Sequence, residues 1–228
     1  MIEYRNKVYA NKGNAALLDC IGQDDEVFNV LDVGFGNGAN SLVLKSKYPN
    51  ARFDGITVSE EELAIGKNIF DNAWLYNIEN GIDDLPANAM YDIIIASHVF
   101  EHLRYPDECL RMLATRLKVG GYIIIAVPNI LFYDQRFKFI RGSFDYTDTG
   151  VMDKTHLKFF TYDSIETVLD VKGSGLKKIA KIADAKIPFL PTRRITSLNA
   201  LNRKVDKALG PAFPNLFGWQ IIIKLQKI

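Results

Sequence analysis

Two kinds of apolar pattern alternate along the chain. Short, uniformly apolar runs rich in branched residues read as strands buried on both faces. Segments whose apolar positions recur every three or four residues read as helices laid over them. Strands are predicted at 29–33, 52–58, 91–96, 122–127, 176–183 and 220–225; YDIIIA (91–96) and YIIIAV (122–127) are too uniformly apolar for a half-exposed sheet. Helices are predicted at 38–48, from Ser59 onward, at 104–117 and at 161–171, with a turn at 118–121. Ser59 with Glu62 three residues on has the spacing of a capping box. Residues 130–160 are aromatic and basic with no clean period. Between 186 and 218 a basic amphipathic helix is expected, with Ile195, Leu198, Leu201, Val205 and Leu209 on one face. The alternation implies an α/β fold with a mainly parallel sheet. A single domain over 1–228 is expected, with a core at 1–129 and insertions at 130–160 and 186–215 over one sheet.

Composition narrows this picture. In 228 residues, 48% of them hydrophobic, there is enough apolar material for one full core. The chain has no apolar run long enough to span a bilayer, and its polar start lacks the apolar stretch of a signal peptide. Cys20 and Cys109 lie far apart and suit reduced thiols, which points to the cytoplasm. The net charge of +1 hides an asymmetry: residues 1–130 hold 11 basic and 18 acidic residues, whereas 131–228 hold 17 and 9. A basic second part suits a small-molecule acceptor that is anionic or phosphate-linked. Without a continuous basic patch or a recognition motif, nucleic acid is not expected as a partner. The amphipathic tail leaves peripheral contact with a membrane open.

The stretch VLDVGFGNGAN (30–40) carries the first chemistry. A strand running through glycines into a helix turns backbone N–H groups toward a ligand. Gly34, Gly36 and Ala39 also satisfy the dinucleotide fingerprint, so spacing alone does not separate a nicotinamide cofactor from another nucleotide-like one. Asp32 separates them. It stands two residues before the first glycine, where a carboxylate suits a ligand bearing an ammonium group.

DVGFGNG (32–38) resembles the glycine motif of the class I S-adenosylmethionine-dependent methyltransferases, and the likeness runs in order over about residues 29–129. It continues through FDGITVSEEEL, YNIENGIDDLP, YDIIIASHVFEHL and LKVGGYIIIAVPN. The resemblance implies a Rossmann-like α/β fold, with a seven-stranded, mainly parallel sheet and an antiparallel C-terminal strand. It also implies S-adenosylmethionine as cofactor, held by Asp32, Gly34, Phe35, Gly36, Asn37, Gly38, Thr57, Val58, Glu62, Asn77, Ile78 and Ser97. Phe35 stands where the family often has cysteine. Thr57 stands where the family usually has the acidic residue that takes both ribose hydroxyls. A single hydroxyl cannot match a carboxylate in that task. The fatty-acid cyclopropane synthases resemble this variant, so the ribose is expected to be shared between Thr57 and Glu62, although Glu62 also fits the capping box. By the same resemblance Asn77 meets the adenine amino group, the Ile78 backbone meets the ring, and Ser97 underlies the methionine portion.

Methyl transfer needs alignment, exclusion of water and, for a hydroxyl acceptor, removal of a proton. His98, Glu101 and His102 follow a strand at i, i+3 and i+4, so on a helical turn they share a face. That arrangement serves as a base held by a carboxylate, as a structural cap, or as two nitrogens and an oxygen for a divalent metal. The ubiquinone O-methyltransferases resemble this run. Asp153 to Thr161 resembles the D-x-x-H-x-x-F-F-T segment of bacterial methyltransferases found with polysaccharide and sugar-modifying enzymes. It supplies His156 as a second candidate base. The expected catalytic set is therefore His156, His98, Glu101 and His102, without a metal. Arg136, Lys138 and Arg141 either hold a phosphate or lie in solvent. The expected activity is O-methylation of a saccharide or nucleotide-linked sugar in surface polysaccharide biosynthesis. A quinone-like or lipid acceptor is the alternative. From other classes, an NAD-dependent oxidoreductase and a non-catalytic cofactor-binding module remain.

Overall fold

The computed structural model describes residues 8, 12–22, 27–82, 85–86, 88–187 and 210–228. Seven strands form one sheet: β1 (Asn29–Val33), β2 (Arg52–Thr57), β3 (Asn72–Leu75), β4 (Tyr91–Ser97), β5 (Leu117–Pro128), β6 (Leu176–Ala185) and β7 (Gly218–Lys227). Their order is β3-β2-β1-β4-β5-β7-β6. Every pair is parallel except those made by β7, which runs antiparallel to both β5 and β6. The order reverses between β1 and β4, and at such a switch point a crevice opens at the carboxyl ends of the strands.

Alternate residues of each central strand enter different cores. Leu31, Val33, Ile94, Ala96, Ile123 and Ile125 join one cluster, whereas Val30, Ile93, Ile95, Ile124 and Ala126 join the other. Both faces are covered, so these strands read as continuous apolar runs rather than as alternating ones. Helices α2 (Ala39–Lys47), α3 (Glu60–Gly66) and α4 (Pro106–Thr115) lie close to where the periodicity puts them. Pro106 sits in the first turn of α4, where its missing N–H and fixed φ cost nothing. Among the described residues no helix is long and apolar enough to cross a membrane.

Four expectations change. The residue pattern missed β3, because a four-residue edge strand with half-buried or exposed side chains is too short to show a period. The expected turn at 118–121 is absorbed into β5 as an irregularity: Tyr91 pairs with Leu117, but Ile93 already pairs with Tyr122. The aperiodic 130–160 segment contains a helix, α5 (Tyr133–Ile140), whose Phe137 and Ile140 are exposed, so no apolar stripe marked it. The helix expected at 161–171 shortens to α6 (Ile165–Val168) within a series of turns. The amphipathic helix expected around 195–209 lies outside the described residues.

Phe35, between the first two glycines, drives its ring into the core behind the sheet. It is 3% exposed and meets Phe70 at 4.6 Å between ring centroids. A Cβ on Gly66 would come within 2.6 Å of Phe35 Cζ, and one on Gly55 within 2.8 Å of its Cδ1. Two glycines on neighbouring elements thus make the slot for one aromatic ring. Gly66→Ala is expected to cost about 1–3 kcal/mol through overpacking. Urea unfolding should show the Gly66→Ala/Phe35→Leu double variant to be less destabilised than the sum of the singles.

Candidate functional site

A cavity of about 1610 Å³ opens at the carboxyl ends of β1, β2 and β4. Each strand ends in a polar or glycine residue just where its run of core side chains stops. β1 leads into Gly34 and Gly36, with φ of 66° and 57°, a backbone that L side chains rarely adopt. β2 ends at Thr57 and β4 at Ser97, and both residues line the cavity.

Of the residues expected to hold a cofactor, Gly34, Gly36, Thr57, Val58, Glu62, Asn77, Ile78 and Ser97 reach the cavity wall. Asp32, Phe35, Asn37 and Gly38 do not line it. Asp32 lies behind the glycine turn, 1% exposed, and accepts a 2.7 Å hydrogen bond from Ser41 Oγ. Gly38, N-cap of α2 at φ 73°, leaves room for Ile69: a Cβ there would approach Ile69 Cδ1 to 2.6 Å. Asn37 Oδ1 accepts from Ala39 N–H at the helix start. The third glycine thus gives a core side chain its room.

At the end of β2 the capping box is only half formed. Ser59 Oγ accepts from Glu62 N–H, but Ser59 N–H donates to Thr57 Oγ1 at 3.1 Å. The Thr57 hydroxyl in turn donates to Glu62 Oε2 at 2.5 Å. Thr57 thus holds a buried carboxylate, itself on the cavity wall, at the place where the sequence has no acidic strand-end residue. Asn77 Oδ1 caps the short turn Ile78–Asn80 by accepting from Glu79 N–H, with Asn77 exposed at the rim and Ile78 buried.

On the opposite side β4 leads through His98, at φ 59°, into the tight turn Phe100–His102. Glu101 is 1% exposed and becomes a hub. Its Oε1 lies 3.2 Å from His98 Nδ1 and 4.0 Å from His156 Nε2, while Oε2 has no hydrogen-bond partner. Its carbonyl accepts from the N–H groups of Leu157 and Lys158, which seats the 153–161 segment on the turn. Burial alone would raise the Glu101 carboxyl, but the His98 hydrogen bond and the surrounding imidazoles outweigh it and hold it below the usual range. Burial likewise pushes His98 down, yet the Glu101 hydrogen bond and charge, with Gln220, bring it out above its ordinary value. His156 is lowered, chiefly by burial. His102 Nδ1 faces the Thr155 carbonyl at 3.2 Å.

The shared helical face expected for His98, Glu101 and His102 is not what forms. His98 turns toward Gln220 Oε1, 3.0 Å from its Nε2, whereas His102 joins His156 at 4.8 Å between ring centroids. Trp219 stacks on His98, and Asp184 accepts from both Trp219 Nε1 and Gln220 Nε2. Asn14 donates to Ser97 Oγ and Gln220 Oε1, tying the start of the chain to its last strand. Little in the sequence marks these cavity residues, Asn14, Trp219 and Gln220; the one signal is a glutamine heading the apolar run of β7. Arg136, Lys138 and Arg141 lie away from the cavity. Among the described lining residues Lys186 is the one lysine or arginine, against Asp19, Glu60, Glu62, Glu79, Glu101, Asp153 and Asp184.

Asp32 yields a pH test. Complete burial raises its carboxyl to about 7, with Ser41 opposing the shift and Glu62 adding to it. A carboxyl raised on folding binds its proton more tightly in the folded state, so stability falls as pH rises from the ordinary carboxylate range through about 7. Urea midpoints between pH 5 and pH 8 should fall less steeply in Asp32→Asn than in the parent chain.

A methyltransferase-domain family model matches residues 1–180. Over 107 residues the chain is 28% identical to a malonyl-[acyl-carrier protein] O-methyltransferase of Halalkalibacterium halodurans, covering 45% of this chain and 40% of the relative. It is 26% identical over 169 residues to a mitochondrial ubiquinone biosynthesis O-methyltransferase of Candida albicans, covering 72% and 51%. These matches thus span about half, or less, of the relatives' own length. A solved methyltransferase from Archaeoglobus fulgidus, described as SAM-dependent, superposes with a TM-score of 0.63 at 20% identity, covering 93% of this chain and 92% of that one. The glycine turn, the strand order and the family match agree: the chain belongs to the methyltransferase-domain family, with its Rossmann-like fold of six parallel strands and one antiparallel strand.

Proposed function

We infer that the chain binds S-adenosylmethionine in the crevice between β1 and β4 and transfers its methyl group to an oxygen of a small hydroxyl-bearing molecule. The observation that carries the cofactor is the sign of the wall. Glu60, Glu62 and Glu79 line the cavity near the strand ends, where the pyrophosphate of a dinucleotide would be repelled and a ligand with sulfonium and ammonium charges is favoured. When bound, this cofactor supplies a methyl group on positively charged sulfur. The residues present suit it: Gly34 and Gly36 offer backbone without side chains, Glu62 takes the ribose hydroxyls, and Asn77 and Ile78 border the adenine. Thr57 positions Glu62 rather than sharing the ribose, because its hydroxyl already donates to that carboxylate and accepts from Ser59. Asp32 acts from behind the glycine turn.

The acceptor lies on the far side, between Trp219 and the Glu101–His102–His156 group, where its hydroxyl is activated. His98, between two acceptor oxygens and raised above its ordinary value, serves as the charge partner of Glu101 rather than as a base. Oxygen as the target is supported by two relatives named as O-methyltransferases. For the acceptor we favour a saccharide-like ring: carboxylates accept from hydroxyls, and the face of Trp219 suits an apolar ring face. The carboxylate-rich wall argues for a neutral acceptor instead of the anionic one expected from the charge asymmetry. A quinone-like acceptor is the second reading, favoured by Ile182 and Pro211 on the same wall and by the ubiquinone-pathway relative. In this reading the chain works as one methyltransferase domain, whose acceptor side takes residues from the turn after β4, the 149–156 segment and β7.

Calorimetry should show binding of S-adenosylmethionine or its demethylated product and none of NAD; the reverse result sinks the reading. Glu62→Gln should weaken cofactor binding by roughly 1–3 kcal/mol, as loss of a charged hydrogen-bond acceptor does. Thr57→Val should cost less, and Thr57→Asp should also weaken binding by setting two carboxylates together. His156→Ala should lower turnover by about 10²–10⁴-fold with cofactor affinity retained. Mass spectrometry of metabolite extracts incubated with methyl-labelled cofactor identifies the acceptor.

A further inference from the structure

We propose that Glu101, His102 and His156 form a divalent-cation site on the wall of the cavity. The three residues come from two segments, the turn after β4 and the loop before α6, and one donor atom from each lies within 4.8 Å of the others. The proton positions favour this use. His156 Nδ1 lies 2.9 Å from the Val151 carbonyl, which only accepts, so Nδ1 carries the proton and Nε2 the lone pair. His102 Nδ1 faces the Thr155 carbonyl and the Thr155 hydroxyl oxygen, whose own proton goes to Asp153. Nε2 is therefore the nitrogen that each ring can present to a cation. Metal-binding histidines are held in this way, with the second nitrogen donating to a fixed carbonyl.

The third donor is a carboxylate with one oxygen unsatisfied although the residue is 1% exposed. An orphaned buried carboxylate oxygen is costly, and His156 Nε2, 4.0 Å from the other carboxylate oxygen, is beyond hydrogen-bond reach. Two imidazoles and a buried carboxylate with one unanswered oxygen converge here, a set that a shared cation satisfies. An N₂O set of this kind suits zinc, iron(II), cobalt(II) or manganese(II) rather than magnesium or calcium. Three protein ligands leave at least one position for water or for an acceptor oxygen from the cavity.

The role of the cation rests on the methyltransferase reading; its binding does not. A coordinated acceptor hydroxyl loses its proton to solvent water, its oxygen forms the new bond to carbon, and the carbon–sulfur bond breaks to leave a neutral thioether. His156 is then a ligand, its lone pair used for the cation instead of the proton.

The test is titration of the chelator-treated protein with cobalt(II), followed by visible absorption and calorimetry without any cofactor. One equivalent should bind and give d–d bands. Glu101→Gln, His102→Ala and His156→Ala should each weaken binding by roughly tenfold or more, since even partners of metal ligands act on that scale. Binding of the demethylated cofactor, measured on the same samples, shows that each variant is folded. Cobalt(II) that fails to bind the parent chain stoichiometrically overturns the proposal, whatever the variants do. So does binding that is unchanged in folded His102→Ala and His156→Ala. Loss of activity with EDTA and recovery with zinc or manganese would tie the site to turnover. Cation binding without cofactor binding would instead sink the methyltransferase reading and leave the site standing.

Discussion

Glu101 is a charged group taken out of water at the end of the central strand, and the far side of the cavity is arranged around that cost. His98 answers one of its oxygens, and His156 stands near the same oxygen. Its carbonyl holds the backbone of Leu157 and Lys158, so the 153–161 segment is placed by the same residue. A buried carboxylate persists only where donors or cations surround it. Here it draws in imidazoles from the end of β4 and from the 153–161 segment, and its second oxygen is still unanswered.

The glycine turn shows a similar division of labour. Three alternate glycines suggest a single purpose, yet they serve two. Gly36 gives the cavity a wall of backbone, Gly34 lines that wall while leaving room for Val99, and Gly38 gives Ile69 room against the start of α2. Phe35 between them turns the other way, into a slot made by Gly55 and Gly66. The turn is thus pinned from behind by core packing, and its front face stays open for a ligand. Rigid support on one side is what lets bare backbone hold its shape on the other.

Charge completes the arrangement. The basic residues of the second half of the chain had suggested an anionic acceptor, but Arg136, Lys138 and Arg141 stay out of the cavity and, among the described residues, carboxylates prevail on its wall. Net charge along a sequence averages over faces that the fold separates.

Strand and helix locations followed from periodicity, because residues buried on both faces of a parallel sheet must be apolar whatever their partners. The position of the glycine turn followed too, since a strand that ends in glycines before a helix has few other conformations. Thr57 drew notice as a departure because a hydroxyl cannot do what a carboxylate does. What the sequence alone could not say is which polar groups meet. Thr57 and Glu62 are five residues apart, and their pairing depended on how sharply α3 turns back over β2. Asn14 and Gln220 are brought together only when the last strand enters antiparallel beside β5. The histidines show the limit most clearly: spacing put His98, Glu101 and His102 on one face, but the left-handed backbone at His98 swings it away and leaves His102 beside His156. Helical spacing predicts neighbours only while the backbone stays helical, and that condition was decided by the tertiary structure.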